Sequence, residues 1–260
     1  MRKYIDCHCH LEDSSLESVA HKLIENFAQD KVDFVINSAS DKISSQKSIE
    51  LSNKYADVYA TAGCHPHEAK TFNEEFAIFL TQAAKKSKLV AIGEIGLDYY
   101  YDLSERDCQR RVFAQQIRIA DSVNLPIVIH SRDAWEDTLK VLEEEKKFIN
   151  NGILLHCYSG SGETAKVLSK KYDAYFSFGG AITFKNYKGF DIIASIPTNR
   201  LLTETDSPYL TPVPFRGKIN TPKNVAIVAQ KLAQMLKKDI DEFCFTIKQN
   251  TCEIFKRIIR

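Results

Sequence analysis

No apolar stretch of the 260-residue chain approaches the roughly 18 residues that a membrane-crossing helix needs. Net charge is almost absent too. The 35 basic and 34 acidic residues leave +1, which excludes a global positive field, so any nucleic-acid contact must come from a local basic patch. Low-complexity stretches, linkers and glycine-rich phosphate loops of the Walker or dinucleotide-binding type are also missing. Arg2 and Lys3 precede an apolar run interrupted by Asp6, His8 and His10, which a secretory h-region would not tolerate; a cytoplasmic protein is expected. The 7 cysteines, an odd number without framework spacing, read as free thiols in a reducing compartment. What is present suffices for a packed core: 44% hydrophobic and 27% charged residues exclude intrinsic disorder.

Short β-rich runs alternate with longer amphipathic, Lys/Glu-rich stretches. The expected strands are Tyr4–His8, Phe34–Ser38, Val58–Gly63, Leu89–Glu94, Ile127–His130, Ile153–His156, Ala174–Phe178 and Leu201–Asp206. Helices are expected near 15–29, 43–55, 73–87, 104–123, 133–148, 162–171, 187–195 and 221–236, with a further one near 239–258. In the fourth of these, Val112, Ile119 and Val123 form an apolar stripe among Arg, Gln and Asp. Roughly eight strand–helix repeats in about 250 residues predict an α/β protein: a (β/α)8 TIM barrel over 1–260, one domain with an extra C-terminal helix. A doubly wound open sheet would carry a glycine-rich fingerprint after its first strand. Here that strand runs into Cys7-His8-Cys9-His10 instead.

Of the 7 histidines, all but His21 end an expected strand or lie just beyond one: His8, His10, His65, His67, His130 and His156. Glu94 and Asp206 do the same. Active sites of (β/α)8 barrels are built at that edge, where the βα loops converge. Strand alternation places His8 and His10 on one face and Cys7 and Cys9 on the other, so the thiols are expected to face the helices, as are Cys64 and Cys157. A zinc knuckle is disfavoured, because it needs cysteines separated by a turn and a second half-site. His8, His10, Glu94, His130, His156 and Asp206 offer four imidazoles and two carboxylates. That set is too rich for one tetrahedral ion and suits two divalent ions sharing a carboxylate. Mixed N/O ligation favours Zn, Mn, Fe or Ni and leaves weaker Mg binding open.

Several segments, in order along nearly the whole chain, resemble the TatD family of metal-dependent deoxyribonucleases. They are Tyr4-Ile5-Asp6-Cys7-His8-Cys9-His10-Leu11, Gly63-Cys64-His65-Pro66-His67, Gly93-Glu94-Ile95-Gly96-Leu97-Asp98-Tyr99, Pro126-Ile127-Val128-Ile129-His130-Ser131-Arg132, His156-Cys157-Tyr158-Ser159-Gly160 and Glu204-Thr205-Asp206-Ser207-Pro208. The resemblance implies that Glu94 bridges two divalent ions, with His8, His10 and Asp206 completing one site and His130 and His156 the other. It implies hydrolysis of DNA phosphodiesters by an ion-activated water, with Asp206 accepting that water's proton. It also implies phosphate or leaving-group contact by His65, and substrate contact by His67 and Arg132. An exonuclease acting on DNA ends or single strands is the expected activity, with no membrane and no obligate protein partner. Three departures stand out: Cys7 where the family has a small residue, Glu12 where it has Asp or Asn, and Arg216-Gly217-Lys218-Ile219-Asn220-Thr221-Pro222 in a substrate-facing loop.

Asp6 and Glu204 lie two residues before proposed ligands and are expected either to orient imidazoles or to make structural hydrogen bonds. Tyr99, Tyr100 and Tyr101 follow Glu94 in a loop and serve either rim packing or stacking on a base. Arg132, Lys185, Arg216 and Lys218 are candidates for a local positive rim. A competing reading is an amidohydrolase-type ester or amide hydrolase, such as a lactonase or D-aminoacyl-tRNA deacylase. Such enzymes often bridge their ions with a carboxylated lysine, and no expected strand ends in Lys. A non-catalytic binding barrel would have no need of all six ligands.

Overall fold

The computed structural model describes residues 2–259, so residues 1 and 260 of the expected 1–260 domain lie outside the described residues. Eight strands form one sheet in chain order: β1 (Tyr4–Cys9), β2 (Val32–Asn37), β3 (Val58–Ala62), β4 (Leu89–Asp98), β5 (Ile127–Arg132), β6 (Ile153–Leu155), β7 (Tyr175–Phe178) and β8 (Leu201–Thr203). All neighbouring strands pair in parallel. The ring returns on itself at its C-terminal edge. There the Asp206 N–H donates to the His8 carbonyl at 2.9 Å and the His10 N–H to the Ser207 carbonyl at 2.8 Å. The architecture is therefore the expected (β/α)8 TIM barrel. Strands such as Val32–Asn37 and Leu89–Asp98 are buried along their whole length. They read as near-continuous apolar runs because side chains fill one face and helices cover the other.

Local chemistry starts several of the helices. Asp41 and Ser44 exchange side-chain-to-backbone bonds ahead of Lys42–Lys54, a capping box. Asn73 accepts from the Phe76 N–H before Glu74–Ala83, Ser161 from Thr164 before Gly162–Tyr172, and Asp239 from Asp241 and Glu242 before Ile240–Ile254. That last helix packs beneath the seam between β8 and β1. Its Asn250 Nδ2 donates to the carbonyls of Thr198 at 2.9 Å and Leu201 at 2.8 Å.

The structure departs from expectation in several places, among them β8, which ends at Thr203 rather than Asp206, and the 133–148 helix, which ends at Glu144 before a 3-10 turn (Lys146–Phe148). The segment expected as one helix at 15–29 is a 3-10 turn (Glu17–Val19) followed by Ala20–Glu25 and Phe27–Asp30, interrupted at Asn26 with φ −88° and ψ 0°. Only Phe190–Ser195 of the 187–195 segment is helical, starting after Gly189, and a separate 3-10 turn at Gly180–Thr183 precedes it. Most consequential is β4, which continues four residues past Glu94 to Asp98. It carries a bulge: Ile92 pairs with Ile127 but Ile95 with Ile129, so three steps on β4 span two on β5. Beyond the bulge Gly96 has φ +138°, and a Cβ there would stand 2.0 Å from the His130 carbonyl oxygen. Only glycine lets the two strands approach this closely.

Candidate metal centre

The C-terminal edge of the ring gathers the ionisable side chains the sequence singles out. Glu94, only 4% exposed, stands at their centre. Its Oε2 is 3.3 Å from His8 Nε2 and 4.0 Å from His10 Nε2. Its Oε1 faces the other way, 2.7 Å from His156 Nε2, 2.9 Å from His130 Nδ1 and 3.5 Å from His65 Nε2. On the Oε2 side, His8 Nε2 and His10 Nε2 are 3.2 Å apart, and Asp206 Oδ1 lies 3.3 Å from His10 Nε2 and 3.8 Å from His8 Nε2. On the Oε1 side, His130 Nδ1 and His156 Nε2 are 3.2 Å apart.

These donors fit a divalent ion. A tetrahedral zinc with bonds of 2.0–2.1 Å requires donor–donor edges of about 3.3 Å, and the His8–His10–Asp206 triangle has edges close to that. Among the described residues, three groups have donor atoms close enough to hold an ion: His8, Glu94 and His156; His8, His10 and Asp206; and His65, Glu94 and His130. The last brings His65, expected as a phosphate or leaving-group contact, into ligand range. His67 sits farther out, its Nε2 3.1 Å from Asp98 Oδ2, and Arg132 lies at the rim over the rings of Tyr100 and Tyr101.

Backbone and carboxylate acceptors fix which ring nitrogen faces the cluster. A carbonyl can only accept, so the 2.8 Å contact from His10 Nδ1 to the Ser38 carbonyl puts a proton on Nδ1 and directs Nε2 inward. Ser38 Oγ meets His8 Nδ1 at 3.1 Å. Asp98, 1% exposed, lies 2.9 Å from His130 Nε2 through Oδ2, while its Oδ1 accepts the N–H groups of Tyr100 at 3.0 Å and Tyr101 at 2.9 Å. Glu12 Oε1 is 3.7 Å from His10 Nδ1, and its Oε2 accepts from Asn37 Nδ2 at 2.6 Å.

The same packing separates the titration of these groups. Burial opposes charge on Glu94, but His156, His65 and His8, with the His130 contact, hold its carboxyl well below the usual range. Burial opposes charge on Asp206 too, and His10, His156 and His8 lower it. Burial likewise works against protonated His10, His130 and His156. Asp206 and Glu12 around His10, Asp98 and Glu94 around His130, and Glu94 and Glu204 around His156 outweigh it and raise all three rings. His65 is pushed down to about 4, chiefly by burial. Without ions, protons on the imidazoles offset the buried carboxylates, and cations entering the site displace them.

Sequence reasoning missed Asp98, Ser38 and Glu12 as supports of the imidazoles. Asp98 was legible in principle: it is four residues past Glu94, an even step along a strand, and went unassigned because the strand was expected to stop at Glu94. Asp6 orients no imidazole; it accepts from the His8 and Thr205 backbone N–H groups and from Thr205 Oγ1. This is the structural alternative, and burial raises its carboxyl to about 8. Cys9 packs away from the cluster beside the Ile36 carbonyl, as expected. Cys7 does not face the helices, because β1 slips register between Asp6 and Cys9. Its thiol instead lies beside Ser177 of β7, where the nearby charge of Glu204 opposes its ionisation, and β8 separates β7 from β1, so it points across the barrel interior. Cys157, at φ +45°, also turns its thiol to Glu204 rather than to the helices. Glu204 Oε2 accepts from Ser177 Oγ at 2.5 Å and stays 3.8 Å from His156 Nδ1. His21 pairs with Tyr55, away from the cluster.

Three comparisons agree with this geometry. The TatD related DNase family model matches residues 5–256. The chain is 39% identical to the uncharacterized metal-dependent hydrolase YabD of Bacillus subtilis over 252 residues, covering 96% of this chain and 98% of that one. It is 35% identical to the similarly described YcfH of Escherichia coli K12 over 258 residues, covering 96% and 95% of the two chains. Among solved structures it superposes on YjjV, a TatD homologue of Escherichia coli, with a TM-score of 0.90 and 28% identity over 97% of this chain and 98% of that one. A family match over nearly the whole chain, on a barrel whose mouth converges imidazoles and carboxylates, means that this protein belongs to the TatD family of metal-dependent hydrolases.

Proposed function

We propose that the protein hydrolyses DNA phosphodiesters with two divalent ions, one held by His8, His10, Glu94 and Asp206 and the other by Glu94, His130 and His156. The observation that carries this reading is the division of Glu94, whose two oxygens face two separate donor sets within 2.7–4.0 Å. Bound ions supply Lewis acidity and make water nucleophilic near neutral pH. The residues of the chain do the rest. Asp206, 15% exposed at its side chain and held as carboxylate beside His10, is placed to accept a proton. His65 stays neutral at pH 7 beside Glu94 and is available to hydrogen-bond a phosphoryl or leaving-group oxygen. His67 and Arg132 line the approach, Arg132 as a fixed positive charge for phosphate. Strand ends and single strands are the favoured substrates, since a net charge of +1 supplies no global field to hold duplex DNA.

The test is digestion of end-labelled single-stranded DNA by metal-stripped protein with Mg, Mn or Zn restored, beside Glu94→Ala and Asp206→Ala. A ladder that requires metal, with turnover reduced by orders of magnitude in both variants and the fold retained by circular dichroism, is the expected result. Near-wild-type turnover in either variant refutes the ligand assignment. Absence of cleavage with any ion, in protein that still binds metal, moves the reading to ester or amide substrates.

A further inference from the structure

Among the three consecutive tyrosines after β4, only Tyr99 is absorbed into the fold. Its hydroxyl donates to Asp137 at 2.6 Å and accepts from Arg110 at 2.9 Å, and Arg106 covers its ring. Tyr100 and Tyr101 are 57% and 54% exposed, although burying rings of that size is strongly favourable. Nothing about them is loose. Both backbone N–H groups are held by Asp98 Oδ1, and the two rings meet at 4.9 Å and 88°, forming a corner. The Arg132 guanidinium sits 3.9 Å from the Tyr100 ring centre and 4.9 Å from that of Tyr101. His67 closes the side toward the metal centre, 5.4 Å from Tyr101.

A single carboxylate connects this corner to the metal centre: the other oxygen of Asp98 contacts His130. The platform is thereby tied to the metal centre. β8 stands four strands from β4 around the ring, and its following loop exposes Tyr209, Val213, Phe215 and Ile219 on the opposite wall. The mouth is thus flanked by an aromatic, arginine-bearing corner on one side and, on the other, by a loop of exposed apolar residues that also carries Arg216 and Lys218. Flat exposed rings beside a cation, above a phosphate-hydrolysing centre, match the stacking sites that single-stranded nucleic acid binders use. Such sites accept any base, because every base offers a π-face.

We infer that Tyr100, Tyr101 and Arg132 form a nucleobase-stacking subsite that holds an unpaired base adjoining the scissile phosphate. This deepens the proposed phosphodiesterase reading and rests on it for the identity of the substrate. Duplex interiors are poor ligands for such a site, because their bases are already stacked; frayed ends and single strands supply free faces.

The experiment compares wild-type holoenzyme with the Tyr100→Leu/Tyr101→Leu double variant and with Tyr100→Phe/Tyr101→Phe. Each is assayed on a labelled single-stranded decamer and on the same decamer carrying abasic residues at its terminal positions. Binding is read separately by anisotropy with phosphorothioate versions of both strands. Stacking on one base gives about a tenfold preference for the intact strand over the abasic one, in kcat/KM and in Kd. The Leu variant loses that preference by weakening only the intact strand, while the Phe variant keeps it. Equal loss on both strands marks a merely structural role for the tyrosines and overturns the subsite. Cleavage by the wild type with no preference for bases overturns it too, while the phosphodiesterase reading stands. Base-dependent binding without cleavage supports the subsite and removes the hydrolytic reading. Absence of both removes the two together.

Discussion

Asp98→Asn tests whether a carboxylate that touches no ion sets the metal affinity of its neighbour. Asn keeps the shape and an oxygen for the Tyr100 and Tyr101 N–H groups, so the loop has no reason to move. Toward His130 Nε2, 2.9 Å away, it presents an N–H in place of an acceptor. The ring then favours accepting at Nε2 and carrying its proton on Nδ1, the nitrogen that faces Glu94 Oε1 at 2.9 Å. A ligand in the wrong tautomer costs about 10–100-fold in metal affinity, equivalent to about 1.4–2.7 kcal/mol. The His8–His10–Asp206 group shares no hydrogen bond with Asp98, so its affinity is expected to change little. The assay is calorimetric titration of metal-stripped protein with Zn or Mn, with a chelator competition to bring tight binding into range. The expected outcome is one weakened binding step and one preserved step, with an unfolding midpoint in urea near that of wild type. Unchanged affinity in both steps refutes the tautomer argument. Equal weakening of both shows that Asp98 acts on the whole mouth rather than through His130.

Three further outcomes follow from the geometry. Metal uptake should release protons at pH 7 and tighten as pH rises through neutrality. Carboxylates raise His10, His130 and His156 in the ion-free protein, so their protons compete with the ion below those raised values and cease to compete above them. Calorimetry in buffers of different ionisation enthalpy reads the release, and zero protons per ion would contradict it. Gly96→Ala should destabilise the fold by about 2–4 kcal/mol in urea unfolding, since it combines φ +138° with a Cβ 2.0 Å from the His130 carbonyl oxygen; an unchanged midpoint would mean that β4 and β5 can separate there at no cost. Cys7→Ser and Cys9→Ser should leave metal content, measured by elemental analysis, as in wild type. Loss of an ion in Cys7→Ser would show that the interior thiol reaches the centre.

The sequence by itself determined the alternation of strands and helices, and with it the barrel, because hydrophobic period, capping residues and helix breakers act over a few neighbouring residues. It also determined that His8, His10, His130, His156 and Asp206 sit at or just beyond the C-terminal ends of strands. Where the strands differ from expectation, the reason is pairing between them. The bulges on β1 and β4 exist only relative to β2 and β5, and each changes the face that the residues within it present. For that reason strict alternation places Cys7 toward the helices although its thiol lies beside Ser177, and β4 runs on to Asp98 because its pairing with β5 continues through His130, Ser131 and Arg132. Only the closed ring brings His8 and Asp206 onto one side of Glu94 and His130 and His156 onto the other. Residues far apart in sequence meet there because parallel strands that close into a ring bring their C-terminal ends to a common mouth.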